Sequence, residues 1–234
     1  MTKRILITGA TRGIGAAIAQ KYKAEGHYVI GTGSQFCETP EYLDEYFGCD
    51  LSSNSVLDDE QDVILYQEID VLVNCAGINI IDNFCDIKPE DFQRVQQVNV
   101  VAPFRLCQMV LPHMARQGWG RIVNISSVWG KISRQGRASY SASKFALDGM
   151  TVALANEYAA QGILANSVAP GFIDTEMTQR NLGPAGIAAM LANVPIGRLA
   201  TVNEVAEFVY WLGSEQNTYI SGQNLAIDGG FTRA

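Results

Sequence analysis

The chain has 234 residues, 47% hydrophobic and 18% charged; this is globular composition, which excludes a disordered tract and suits one α/β core. Its 17 basic and 24 acidic residues leave a net charge of -7, with no basic run longer than Lys3 and Arg4, so no nucleic-acid surface is expected. Five scattered cysteines without C-x-x-C spacing and only two histidines, His27 and His113, argue against a disulfide framework, a zinc site or any other metal centre.

In chain order, residues 5–8 read as a short buried strand running into a glycine-rich loop, Gly9-Ala-Thr11-Arg12-Gly13-Ile14-Gly15. Ile14, Ala17, Ile18 and Tyr22 then share one helical face. Strands are expected at 28–31, 71–74, 122–126, 164–169 and 224–227. Pro89 with Glu90 and Asp91 marks a helix start. A second helix begins before Tyr140 and continues through Val152, Leu154 and Ala155, and a third carries Val205, Ala206, Val209 and Leu212. Most of the strands lack clean alternation, as strands buried on both faces do. Alternation of strand and helix predicts a doubly wound parallel α/β sheet in a single domain, 1–234. The stretch 172–198, rich in Gly and Pro, predicts an excursion with a helix of its own. The apolar start is too short for a signal peptide and no stretch reaches the length of a membrane span. A cytoplasmic protein with reduced thiols and no membrane contact is expected.

The first chemistry lies in the loop 9–15. Glycines after a strand let a pyrophosphate approach the free N–H groups of a helix N-terminus. Taken alone, the loop also fits a turn that only packs helix on strand. Arg12 sits within it, and the second strand ends in Gly31-Thr-Gly-Ser34 with no carboxylate to bind a free ribose diol. A cation without a nearby acid favours a ribose phosphate, hence NADP(H) over NAD. The second chemistry is Tyr140-x-x-x-Lys144 with Ser127 upstream. Helical spacing puts Tyr and Lys on one face. An ammonium beside the phenol is expected to lower its pKa into the range of proton transfer, with Ser127 donating to the same substrate oxygen. An exposed tyrosine next to a solvated lysine is the plainer reading of the same spacing.

Together, Thr8-Gly9-x-x-x-Gly13-x-Gly15, Asn74-Cys75-Ala76-Gly77, Asn99, Ser127, Tyr140-x-x-x-Lys144 and Pro170-Gly171 resemble the short-chain dehydrogenase/reductase family, in order and spacing over essentially the whole chain. The resemblance implies a Rossmann-like seven-stranded parallel sheet in an α/β/α sandwich, and a homotetramer. It makes Tyr140 the acid/base, with Lys144 as its partner and as a ligand of the nicotinamide ribose. Ser127 orients the carbonyl, and Asn99 holds a water that links Lys144 to solvent. For the cofactor it implies Gly9, Thr11, Arg12, Gly13, Ile14, Gly15 and Ser34 on the phosphate side, and Asp50 with Leu51 at adenine. Asn74, Ala76 and Gly77 line the cofactor, and Pro170, Gly171, Ile173 and Thr175 hold the carboxamide end. Two departures stand out: Cys75 replaces the family's second Asn, and the span between Ser34 and Asn74 is short, which affects the adenine-side helices.

The nearest resemblance within the family is to 3-oxoacyl-acyl-carrier-protein reductases. Ser127, Trp129, Tyr140 and Phe172 are the expected substrate contacts. Where carrier-docking arginines are expected the chain has Gly118 and Gln161; Arg116 and Arg121 are candidates to compensate. Lys131, Arg134 and Arg137 lie between Ser127 and Tyr140. They read either as a solvated loop or as a site for a polar or anionic substrate. The expected activity is reduction of a ketone, 3-oxoacyl thioester-like or otherwise, carrier-linked or free. The alternatives are a polyol, sugar-acid or secondary-metabolite dehydrogenase, or a non-catalytic dinucleotide sensor.

Overall fold

The computed structural model describes residues 2–53 and 68–234. Seven strands, β1 (Arg4–Thr8), β2 (Tyr28–Gly33), β3 (Glu45–Gly48), β4 (Val71–Asn74), β5 (Gly120–Ile125), β6 (Ile163–Pro170) and β7 (Asn224–Ile227), form one sheet in the order β3-β2-β1-β4-β5-β6-β7. Every pairing is parallel. Each strand-to-strand connection therefore crosses over a face of the sheet, and helices cover both faces.

The central strands divide their side chains between two cores with the period of two that a pleat imposes. Ile5, Ile7, Val71, Val73 and Val123 pack on one face with Ile18 and Tyr22 of helix α1 (Gly13–Ala24) and Val205 and Val209 of helix α6 (Val202–Leu212). Leu6, Leu72 and Ile122 pack on the other with Leu106, Val110 and Met114 of helix α3 (Ala102–Gln117). Both sets are apolar, so the strands read as continuous hydrophobic runs rather than alternating ones.

Six of the seven strands lie where the sequence places them. β2 runs on to Gly33, and β5 stops at Ile125, before Ser126. β3 is the one the hydrophobic pattern did not mark. It is a four-residue edge strand whose partial burial gives no apolar run. Helix α2 (Pro89–Gln96) starts on Pro89 as expected and passes through a π-helical turn (Gln97–Val101) into α3. Helix α4 (Ala138–Tyr158) carries Tyr140 and Lys144. The excursion 172–198 contains helix α5 (Glu176–Leu191), capped by Thr175 and broken by Gly183 at φ 62° and ψ 175°, immediately before Pro184. Of the shortened span between Ser34 and Asn74, residues 54–67 lie outside the described residues, and the described part holds β3. No helix among the described residues is long and apolar enough to cross a membrane.

Candidate active site

Strand order reverses between β1 and β4, whose neighbours run outward in opposite directions. Their C-terminal ends therefore splay their loops apart and open a crevice, the place where open α/β sheets bind ligands. The loop after β1 reaches it in left-handed turns at Gly9 (φ 68°) and Gly13 (φ 57°). A methyl on Gly15 would collide with the Gly9 carbonyl, and one on Gly9 would stand 3.0 Å from the Ala76 Cα. Glycine is thus dictated by close backbone approach. Helix α1 begins there with no side-chain cap from Arg12 and no acidic residue in its first turn. Its first N–H groups have no side chain competing for them, which suits an anion.

The loop after β4 is tied to β1 by Thr8, whose Oγ1 accepts from the N–H of Cys75 (3.0 Å) and of Ala76 (2.9 Å). Thr8 is 2% exposed, so Thr8→Val, nearly isosteric, strands two partly buried donors. A loss of about 1–3 kcal/mol is expected, read by urea denaturation. Asn74 Nδ2 donates to Asn124 Oδ1 (2.8 Å), linking β4 to β5. Gly77 leaves open the approach to the buried ammonium: an added methyl would lie 3.6 Å from Lys144 Nζ and 3.4 Å from Asn99 Oδ1.

The chemistry-bearing residues converge at the same end of the sheet. Ser127, just past β5, is buried at 7% exposure and accepts from the Trp129 N–H at 3.2 Å. Tyr140 stands in the first turn of α4, within reach of a hydrogen bond with Ser127. Lys144, one turn on, is 3% exposed, and its Nζ lies 5.4 Å from the centre of the Tyr140 ring. Nζ donates to the Ile125 carbonyl at 2.8 Å. This corrects one expectation from the sequence. The phenol is not pulled down by the ammonium: burial pushes its pKa above the ordinary value, opposed by the Ser127 hydrogen bond and by the charge of Arg137. It is the lysine that is perturbed downward, pushed to about 8 by burial. A phenol held neutral carries a proton rather than a negative charge.

Asn99, in the π-helical turn, spends its whole amide on positioning. Nδ2 donates to the Ile78 carbonyl and to Ser143 Oγ, each at 2.9 Å, and Oδ1 accepts from the Ile78 N–H at 2.9 Å. Ser143 Oγ in turn donates to the Tyr140 carbonyl at 2.7 Å. Ser143 escaped the sequence reading. Its signal was Ser139-x-Ser141-x-Ser143, three small residues, all buried, that let the start of α4 pack closely against α2 and the π turn.

Pro170 ends β6, and a methyl on Gly171 would press on Asp228 at 2.9 Å. Ile173 is buried and bridges to Ala200. Thr175 caps α5, close to Gly13. Thr11 and Ile14 lie in the phosphate loop, Ser34 is exposed just past β2, and Asp50, also exposed, accepts from the Ser52 N–H beside the buried Leu51. Arg12 is exposed and lies 3.9 Å from Glu176 on α5. Trp129 and Phe172 meet edge-on with Phe231 from the C-terminal turn, at 5.0 to 6.3 Å between ring centres. Phe231 thereby joins the expected wall of the substrate site. Gly118 and Gln161 sit at the ends of α3 and of the short turn after α4. Arg121 cannot compensate for a missing docking arginine. It is 5% exposed, stacked on Trp119 and bonded to the carbonyls of Gly120, Gly162 and Asn217. Arg116 is exposed.

A family model described as enoyl-(acyl carrier protein) reductase matches residues 9–232. The 3-oxoacyl-[acyl-carrier-protein] reductase of Escherichia coli (strain K12) is 38% identical over an alignment of 239 residues, covering 97% of this chain and 96% of the relative. Among solved structures, 4-hydroxyisoleucine dehydrogenase complexed with NADH is similar with a TM-score of 0.91 at 32% identity, covering 100% of both chains. A mutant of that enzyme was solved with NADH and succinate; it gives 0.91 at 32% identity and covers 99% of both chains. A blue fluorescent protein from a metagenomic library, in complex with NADPH, gives 0.88 at 32% identity, covering 98% of this chain and 97% of that one.

Proposed function

The chain belongs to the short-chain dehydrogenase/reductase family of NAD(P)-dependent oxidoreductases, and from that premise we propose that it reduces a ketone to a secondary alcohol with NADP(H). The observation that carries the reading is the convergence of Ser127, Tyr140 and Lys144 at the crevice into which the free end of α1 opens. The glycine turns and open N–H groups at 9–15 fit a dinucleotide pyrophosphate, and Gly77 leaves room above Lys144 for a ribose. When bound, the reduced nicotinamide supplies the hydride. Tyr140 holds the proton for the carbonyl oxygen, and Ser127 donates a hydrogen bond to that oxygen as negative charge develops on it. Lys144 provides the local positive charge, and Asn99 with Ser143 fixes the turn on which Tyr140 stands. Trp129, Phe172 and Phe231 keep water from the reacting atoms. The family's adenine side is assigned to Asp50 and Leu51, and its carboxamide side to 170–175.

NADP(H) over NAD(H) rests on Arg12 and on Ser34 where an acid would otherwise stand. Arg12→Ala should weaken NADPH binding about tenfold and leave NADH binding unchanged, since one charge-assisted contact at an exposed site is removed. Titration of nicotinamide fluorescence measures both; tighter NADH binding by the wild type would reject the assignment. Exposed Phe104 on α3 and Phe145 and Val152 on α4 support a homotetramer. A cytoplasmic location fits the reduced thiols. The 3-oxoacyl relatives favour an acyl substrate, free or carrier-linked, whereas the commitment of Arg121 to the core removes one of two candidate docking cations. A hydroxy-acid substrate is the second reading, favoured by the arginines beside Tyr140.

A further inference from the structure

Arg137 is the N-cap residue of α4, three positions before Tyr140. It is 8% exposed. Among the described residues no carboxylate lies within 4 Å of its guanidinium, and no hydrogen bond engages it. Its one side-chain contact of note is with the Trp129 ring, 5.7 Å from the ring centre. Arg134 lies over the same ring at 5.8 Å, with one nitrogen 3.0 Å from Met190 Sδ of α5, and it too meets no acid. The two guanidinium groups repel each other, and Arg137 and Tyr140 feel each other's charge. Burying a cation without a counter-ion is costly, and buried arginines are ordinarily paired. Among the described residues Arg137 is such a buried, unpaired cation, one turn from the proton donor, and the exposed Arg134 lies beside it over the same aromatic ring.

Resting on the oxidoreductase reading above, we infer that the substrate carries its own carboxylate, and that Arg137, assisted by Arg134, holds it while Tyr140 serves the ketone of the same molecule. The substrate class is thus a keto acid, reduced to the hydroxy acid as the reduced nicotinamide is oxidised, with the proton passing from Tyr140 to the new hydroxyl. The fork of a guanidinium matches both oxygens of a carboxylate. The aromatic wall of Trp129, Phe172 and Phe231 excludes water and strengthens that pairing.

The test compares a 3-oxo acid with its methyl ester, using wild type, Arg137→Gln and Arg137→Lys. Wild type should prefer the acid by at least tenfold in kcat/KM. Arg137→Gln should lose about 10- to 100-fold on the acid, mainly in KM, and much less on the ester, so that the preference for the acid collapses. Arg137→Lys should recover part of the acid activity. A phosphorylated ketone forms a third arm, and preference for it over the keto acid would overturn the carboxylate assignment. So would equal use of acid and ester by wild type, or parallel loss of both in Arg137→Gln. Calorimetric titration of the enzyme with succinate separates this inference from the activity itself. Succinate carries no ketone, and its binding should weaken at least tenfold in Arg137→Gln. Arg137-dependent succinate binding in an enzyme that turns over no carbonyl would sink the oxidoreductase reading alone; turnover without such binding would sink this one alone.

Discussion

Tyr140→Phe is expected to lower kcat for carbonyl reduction by about 10²–10⁴-fold, the usual worth of a positioned proton donor. NADPH affinity should stay within about threefold of wild type. The phenol is neutral at pH 7 because burial raises its pKa; what Phe removes is therefore a proton, not a charge. The ring remains, so its packing beside Lys144, with Nζ 5.4 Å from the ring centre, is kept. Steady-state kinetics at saturating substrate, with cofactor binding measured separately, checks both parts. A non-catalytic dinucleotide sensor would show no turnover in either form.

Lys144→Met is expected to separate activity from stability. The ammonium is 3% exposed and its pKa is pushed from 10.5 down to about 8 by burial. The folded chain therefore binds that proton more weakly than the unfolded chain. The resulting destabilisation is fully present below about pH 8 and fades as the pH rises to 10.5, so wild-type stability increases through that window. A shift of this size is worth on the order of 3 kcal/mol. Methionine removes the charge but leaves the Ile125 carbonyl without its donor, costing about 1 kcal/mol. At pH 7 the variant should be more stable than wild type by about 1–3 kcal/mol, with the gap closing towards pH 10.5. Its kcat/KM should fall about 10²–10³-fold, as for the loss of a preorganised electrostatic group. Urea denaturation at pH 7 and pH 10 measures the first effect and steady-state kinetics the second. A variant less stable than wild type at pH 7 would mean that the lysine is held by favourable contacts rather than against its burial.

The parts of this protein that could be read from its sequence are those whose chemistry is local. The loop 9–15 announces itself because turn, close approach and helix start all fall within seven residues. Tyr140 and Lys144 do so because helical spacing alone puts them on one face. The central strands are legible because burial on both faces writes an apolar run. β3 was not, because a four-residue edge strand buries too little to leave a pattern. Distant partners hid the rest. Arg121 looked like a surface cation until Gly162 and Asn217, 41 and 96 residues away, claimed its guanidinium. Arg137 sits in a polar stretch that reads equally as a solvated loop. Its environment includes Trp129, whose ring Phe231 also meets from the far end of the chain. The sign of the Tyr140 shift is not legible either, because spacing gives the neighbour but not the desolvation, and here desolvation is the larger effect.

The most direct measurement is a single turnover. Enzyme saturated with NADPH is mixed rapidly with a 3-oxo acid and followed by nicotinamide absorbance, for wild type and for Tyr140→Phe loaded with the same amount of cofactor. Wild type should oxidise one NADPH per site with matching formation of the hydroxy acid, while the variant, equally loaded, stays reduced on that timescale. Equal rates in the two proteins would contradict the assignment of the proton to Tyr140.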